Sequence, residues 1–334
     1  MQHENCSGAV EKGSTNLSLF SKLRKFIFDP QFAILLVFIV ICAVFSLLSP
    51  VFLSGQNALN IARQIVTVGV ITIGMTFVII SGEIDLSVGS IIGFSGMVIA
   101  RLFTDGLHIV LVIILLLALG GTIGLINGLL VTRIKLPSFL ATLATSLIFR
   151  GLAMAMTPGS VPMSMPNKTF NEIFAQKTLW GFLPTPTLIL IGLIIIASFI
   201  LRRTVFGKHV YAVGGSAEAA NLAGVDVKKT KTLVFVISGL LASICGGVYA
   251  ARIGAAITTG GEGFELDAIA AAVLGGTKFS GGSGNVLGSV FGSLIICTVT
   301  NALTILGIPT AWRYVVQGSI ITIAVAIDVW LKRD

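Results

Sequence analysis

The chain has 334 residues, of which 55% are hydrophobic and only 11% charged, with a mean hydropathy of +1.00 and a formal net charge of +8. A domain facing water carries about 25% charged residues, so this composition excludes a soluble globular protein. The positive charge does not indicate a nucleic-acid partner either, because the basic residues sit in short clusters between long apolar blocks.

Residues 1–31 open with a polar stretch, MQHENCSGAVEKGSTNLSLF, that lacks the layout of a cleavable signal and reads as a cytoplasmic tail. From residue 32 to 334 the chain reads as one transmembrane domain. Phe32 to Ser49, Ile109 to Val131 and Thr232 to Ala251 contain no Asp, Glu, Lys or Arg. Runs of about 18 or more such residues are long enough to cross the hydrocarbon core as helices. The pattern predicts an all-α polytopic membrane protein with about ten spans, at 32–49, 64–80, 86–104, 107–131, 137–157, 185–201, 232–254, 266–279, 285–306 and 313–331. With both termini in the cytoplasm, 15 of the 22 Lys and Arg residues fall on that side, as the positive-inside rule requires. The four cysteines show no paired-ligand spacing, which argues against a metal site or a disulfide framework.

Two spans are short for about 30 Å of hydrocarbon, the third and the eighth. Each follows a Glu-x-Asp pair, Glu83/Asp85 in SGEIDLSVGS and Glu265/Asp267 in FELDAIAAA. The span count puts the first pair toward the cytoplasm and the second outside. Glycines recur every fourth residue in the fourth span (Gly120, Gly124, Gly128) and the ninth (Gly284, Gly288, Gly292), giving flat faces for close helix packing. These echoes point to an inverted repeat of segments 2–5 and 7–10, a sign of transporters. Ionised carboxylates at membrane depth are costly. Asp85 and Asp267 therefore read first as caps on the positive ends of helices, and second, with Glu83, Ser87, Asn127, Glu265 and Asn301, as candidates for a polar pathway or gate. Arg150 reads as snorkelling to the outer interface.

The loop 202–231 holds the densest basic cluster. There Gly214 and Gly215 are expected to break the chain, Ser216 to cap a short helix through Glu218, Ala219 and Ala220, and Gly224 to stop it. So short a helix needs support: a surface connector or a docking element for a cytoplasmic partner. No phosphate-binding G-x-x-x-x-G-K-[ST] occurs, since Gly207-Lys208 is followed by His209.

The stretches RTVFGKHVYAVGGSAEAANLAGV, SGEIDLSVGS, PSFLATL and ELDAIAAAVLGGTKFSGGSGNVLGSVFGSL resemble signatures of the ribose/xylose/arabinose-type permeases of bacterial ABC sugar importers, closest in appearance to the ribose member. The resemblance implies the type II (vitamin-B12-importer-like) permease fold in the bacterial inner membrane, surrounded by lipid. It implies a permease homodimer, a cytoplasmic ABC ATPase that uses ATP, and a periplasmic sugar-binding protein; no cofactor and no nucleic acid is expected on the chain itself. It also assigns Gly214 to Gly224 to the helix that couples to the ATPase. One departure is Ser216, where the family suggests Asn. Two other readings stay open from the residues alone: an ion-coupled secondary transporter using the Glu-x-Asp pairs, and a membrane-embedded enzyme.

Overall fold

In the computed structural model, residues 30–179 and 183–309 are described, with scattered positions between 311 and 326. The tail 1–29 and most of the tenth expected span lie outside the described residues. The helices in chain order are α1 (Pro30–Leu48), α2 (Gly55–Ile80), α3 (Val88–Thr104), α4 (Ile109–Thr132), α5 (Ser138–Ala155), the single turn α6 (Lys168–Asn171), α7 (Thr185–Arg203), α8 (Val205–Gly215), α9 (Ala217–Leu222), α10 (Val227–Ile253), α11 (Phe264–Leu274) and α12 (Val286–Ile305). Nine of them stand at the first nine expected spans. Six, namely α2, α4, α5, α7, α10 and α12, are long and apolar enough to cross a membrane among the described residues.

Burial separates these helices into two layers. α2, α10 and α12 are enclosed, with α2 buried continuously from Val66 to Ile80. α4, α5 and α7 keep most of their apolar surface outward, and Leu147 and Ile195, each more than 60% exposed, show the face that lipid would cover. α2 begins nine residues earlier than the composition suggests, because Ser54 accepts from the Asn57 N–H at 3.2 Å and starts the helix in a polar stretch.

The packing is crossed. α10 packs against α3 and α4, while α2 packs against α11 and α12. Both glycine rows are sites of close approach, but to different partners. A Cβ at Gly120, Gly124 or Gly128 would meet Gly239, Phe235–Val236 or Thr232 of α10; one at Gly288 or Gly292 would meet Gly275 or Ala271 beside or in α11. Gly284 does not belong to its row. It lies before α12 at φ 155°, packed on the Thr277 side chain in the turn that follows α11.

Met163–Ser164 (β1) pairs antiparallel with Ala255–Ala256 (β4), and Thr178–Leu179 (β2) with Leu183–Pro184 (β3). Phe170 is buried between Phe103 and Phe174, its ring centroid 4.3 Å from that of Phe174.

Candidate functional site

The short helices α3 and α11 have a shared explanation. Each is preceded by non-helical chain that runs into the protein, 82–87 before α3 and 254–263 before α11, so neither helix has to cross the full thickness. The eighth segment ends at Gly275 after 11 helical residues, about 16 Å of rise, rather than at residue 279. Non-helical backbone at membrane depth is tolerated only inside protein, where its polar groups find partners.

Those partners are present for 82–87. The Ile84 and Leu86 N–H groups donate to the hydroxyls of Ser138 (3.2 Å) and Thr142 (3.0 Å), one turn apart on α5. Asp85 is fully buried and accepts three hydrogen bonds: from the Ser87 N–H at 2.9 Å, the Ser87 hydroxyl at 2.6 Å and the Ser238 hydroxyl of α10 at 2.7 Å. Asn127 of α4 donates to the Ser87 hydroxyl at 2.7 Å. Asp85 therefore does not cap α3 directly. Its acceptors close a turn on Ser87, just before the helix, and tie that turn to α4 and α10. Asp267 is likewise not the cap of α11; it sits inside the first turn, after Gly263.

Glu83 points away from this network and takes the Lys231 ammonium at the start of α10, with the two side chains only 11% and 20% exposed. Replacing Lys231 by Met should cost about 2–3 kcal/mol, less than the ~3–5 kcal/mol of a fully buried pair because some exposure remains. The Glu83→Lys, Lys231→Glu exchange should recover part of it, read as the melting midpoint of the purified protein. An exchange variant less stable than either single variant would remove the pair from the account.

The starts of α3 and α11, where the two Glu-x-Asp motifs stand, meet inside the protein. The Glu265 carboxylate lies against Gly89 in the first turn of α3, and a Cβ on Gly261 would come 2.6 Å from the Gly89 carbonyl. Glycine is needed there because the two helix starts touch through backbone. Arg150 of α5 is drawn inward rather than to the interface: its guanidinium donates to the carbonyls of Thr258 (2.6 Å) and Gly260 (3.1 Å). Asn301 is buried on α12, and its Oδ1 has no partner among the described residues. Sequence reasoning missed Ser138, Thr142, Lys231 and Ser238. The Ser138/Thr142 spacing of four was the available signal for one of these contacts.

At the basic end of the molecule the chain meets itself through glycines. Gly214 and Gly215 do not break the chain; they are the last residues of α8, and the break falls at Ser216, φ −160°. The reason is contact, since a Cβ at Gly214 would collide with the Ile80 carbonyl at the end of α2. The Gly282 N–H donates to the same carbonyl at 2.9 Å, and a Cβ at Gly281 would lie 3.0 Å from the Gly82 Cα. From this junction projects α9. The Ser216 hydroxyl accepts from the Ala219 N–H at 3.2 Å, and Gly224 follows the helix at φ +83°. Only Ala220 of α9 is buried; Glu218 and Ala219 are exposed, and Leu222 is 83% exposed.

Residues 57–325 match the family described as branched-chain amino acid transport system / permease component. The ribose import permease protein of Bacillus subtilis is 40% identical, over 86% of this chain and 89% of that protein. The xylose transport system permease protein of Haemophilus influenzae is 36% identical, over 90% of this chain and 96% of its own length. The ribose import permease protein of Escherichia coli K12 is 37% identical, over 88% and 92%. No solved structure gives a significant match. With long apolar helices built around internal polar turns, and with relatives that span nearly its whole length, the chain belongs to the ribose/xylose-type family of ABC sugar permeases.

Proposed function

We propose that the chain is the membrane-spanning subunit of an ATP-driven importer that carries a ribose-like monosaccharide across the bacterial inner membrane. The observation that carries this reading is α9, a capped six-residue helix with an exposed Leu222, fixed to the end of α2 through the Gly214 junction. A helix too short to stand alone, held out from a rigid seat, suits a contact that receives a push from another subunit. The basic end that bears it would face the cytoplasm, with both termini on that side.

In this reading two copies of the chain enclose the pathway, two ATPase subunits seat α9, and a periplasmic binding protein delivers the sugar. The crossed packing of α10 on α3 and α4, and of α2 on α11 and α12, supports the inverted repeat of segments 2–5 and 7–10 and a type II permease of ten helices. The contacts of Glu83 with Lys231, and of Asp85 with Ser87 and Ser238, favour structural work over ion carriage by these carboxylates.

Reconstituted with its ATPase and binding protein, the chain should take up labelled ribose or xylose into proteoliposomes only with ATP present. Leu222→Asp should abolish co-purification of the ATPase and uptake together. Uptake driven by an ion gradient without the ATPase would overturn the reading.

A further inference from the structure

A cavity of about 370 Å³ lies where three helix ends meet at the basic end of the molecule. Ile34 and Leu35 come from the second turn of α1, Leu287, Gly288 and Phe291 from the first two turns of α12, and Arg202 from the last turn of α7. Its level is set by two connections: α12 follows the turn whose Gly282 N–H bonds to the Ile80 carbonyl, and α8 begins just after Arg203. One turn beyond Ile34, Phe38 meets Phe291 edge-on at 5.7 Å and holds α1 to α12. Leu35 and Leu287 are exposed, as are Leu36, Ile39 and Val40 further along α1, so the cavity opens on apolar surface that lipid would cover.

Its walls and its charge ask for different parts of one ligand. Ile34, Leu35, Leu287 and Phe291 are apolar, and the Arg202 guanidinium is the single charge in the described lining. Arg202 makes no hydrogen bond or ion pair among the described residues. A cation suits the negative end of α7, but Arg203 supplies that as well without lining the cavity. Phosphate oxygens accept from a guanidinium in bidentate fashion, and a hydrocarbon chain would cover the four apolar walls. A soluble anion would leave those walls against water. A zwitterionic headgroup brings an ammonium, which finds no carboxylate in the described lining. The chain's own tail is poorly matched in charge, since Lys22, Arg24 and Lys25 outnumber Asp29 just before α1. A second copy packed through the same patch would bring another Arg202 against the first.

We propose that this cavity binds an acidic phospholipid, with its phosphate on Arg202 and one acyl chain between α1 and α12. The site itself does not depend on the importer reading; only its placement in the cytoplasmic leaflet does, where acidic lipids attract basic side chains. The test uses the full-length chain in phosphatidylcholine nanodiscs containing a trace of phosphatidylglycerol with a photoactivatable acyl chain. Mapped labelling is expected around Ile34–Phe38 and Leu287–Phe291, ahead of the exposed faces of α4 and α5. Unlabelled phosphatidylglycerol should displace it at lower concentration than phosphatidylethanolamine. Arg202→Gln should lower labelling about fivefold, whereas Arg203→Gln, which removes the same charge from the same helix end, should leave it within about twofold. Ile34→Trp should abolish it by filling the space, with the melting midpoint of each variant as the control for folding.

Equal labelling of all the exposed apolar helices, or equal losses at Arg202 and Arg203, would reduce the effect to general attraction and overturn the site. Displacement by inorganic phosphate overturns the lipid, and equal displacement by phosphatidylethanolamine overturns the acidic class. Labelling that appears only in Asp29→Asn would give Arg202 to the chain's own carboxylate. Cross-linking of two chains through Leu287→Cys would give the face to a second copy; either result overturns the proposal. None of these measurements reads sugar uptake, so the importer reading stands or falls separately.

Discussion

Gly214→Ala is expected to lower ATP-driven uptake by at least about tenfold, while Gly215→Ala, one residue further on, leaves it within about twofold. The two positions share a helix end, a residue type and a neighbourhood. They differ in what a methyl group would meet. At Gly214 it overlaps the Ile80 carbonyl and comes 2.7 Å from the Gly282 nitrogen; at Gly215 nothing lies within 4 Å. Overpacking usually costs about 1–3 kcal/mol because side chains shift, but here both sides are backbone and the only relief is to part α8 from α2. If motion of α9 reaches the membrane through this junction, a coupling free energy of ~1–3 kcal/mol corresponds to about 5–150-fold in function. Gly215→Ala should even favour α8, since Gly in a helix is worth roughly 0.5–1 kcal/mol less than Ala. The measurement is uptake per assembled complex, with ATPase co-purification as the control. Equal effects at the two positions, or none at Gly214, would show that the junction does not carry the coupling.

The contrast between these glycines marks what was legible in the chain. Hydropathy located nine helices because the lipid requirement acts on every residue of a span, and Ser216 and Gly224 announced α9 through local chemistry alone. The Gly-Gly pair was equally visible but misread as a break, because a glycine required for turning and one required for contact look alike without the partner. The same limit explains Gly284, which continues a four-residue spacing by coincidence and serves a turn against Thr277. Arg150 was assigned to the interface from its depth, a one-dimensional quantity. Its acceptors, the carbonyls of Thr258 and Gly260, lie more than a hundred residues away. The shortness of the third and eighth spans was legible. That their starts would touch at Gly89 and Glu265 depended on how far residues 82–87 and 254–263 run into the bundle.

Asp85→Leu is expected to be the most destabilising single change in the 82–87 stretch, at about 3 kcal/mol or more. The carboxylate is the common acceptor for the Ser87 N–H, the Ser87 hydroxyl and the Ser238 hydroxyl, all buried, and each buried donor left without a partner costs about 1–3 kcal/mol. Asp85→Asn keeps an acceptor for Ser87, and the Ser238 hydroxyl can turn to accept from the new amide, so its cost should be nearer ~1 kcal/mol. The order of melting midpoints should be wild type, then Asp85→Asn, then Asp85→Leu. A stronger test lies in non-additivity. Ser238→Ala alone leaves one carboxylate oxygen short of a donor, yet combined with Asp85→Leu it removes a donor that would otherwise be stranded. The double variant should therefore be less destabilised than the sum of the two, by an interaction energy of about 0.5–3 kcal/mol. Additive effects would mean that Asp85 and Ser238 do not act as a pair. The turn before α3 would then owe its position to the Ser138 and Thr142 hydroxyls on α5 rather than to the carboxylate.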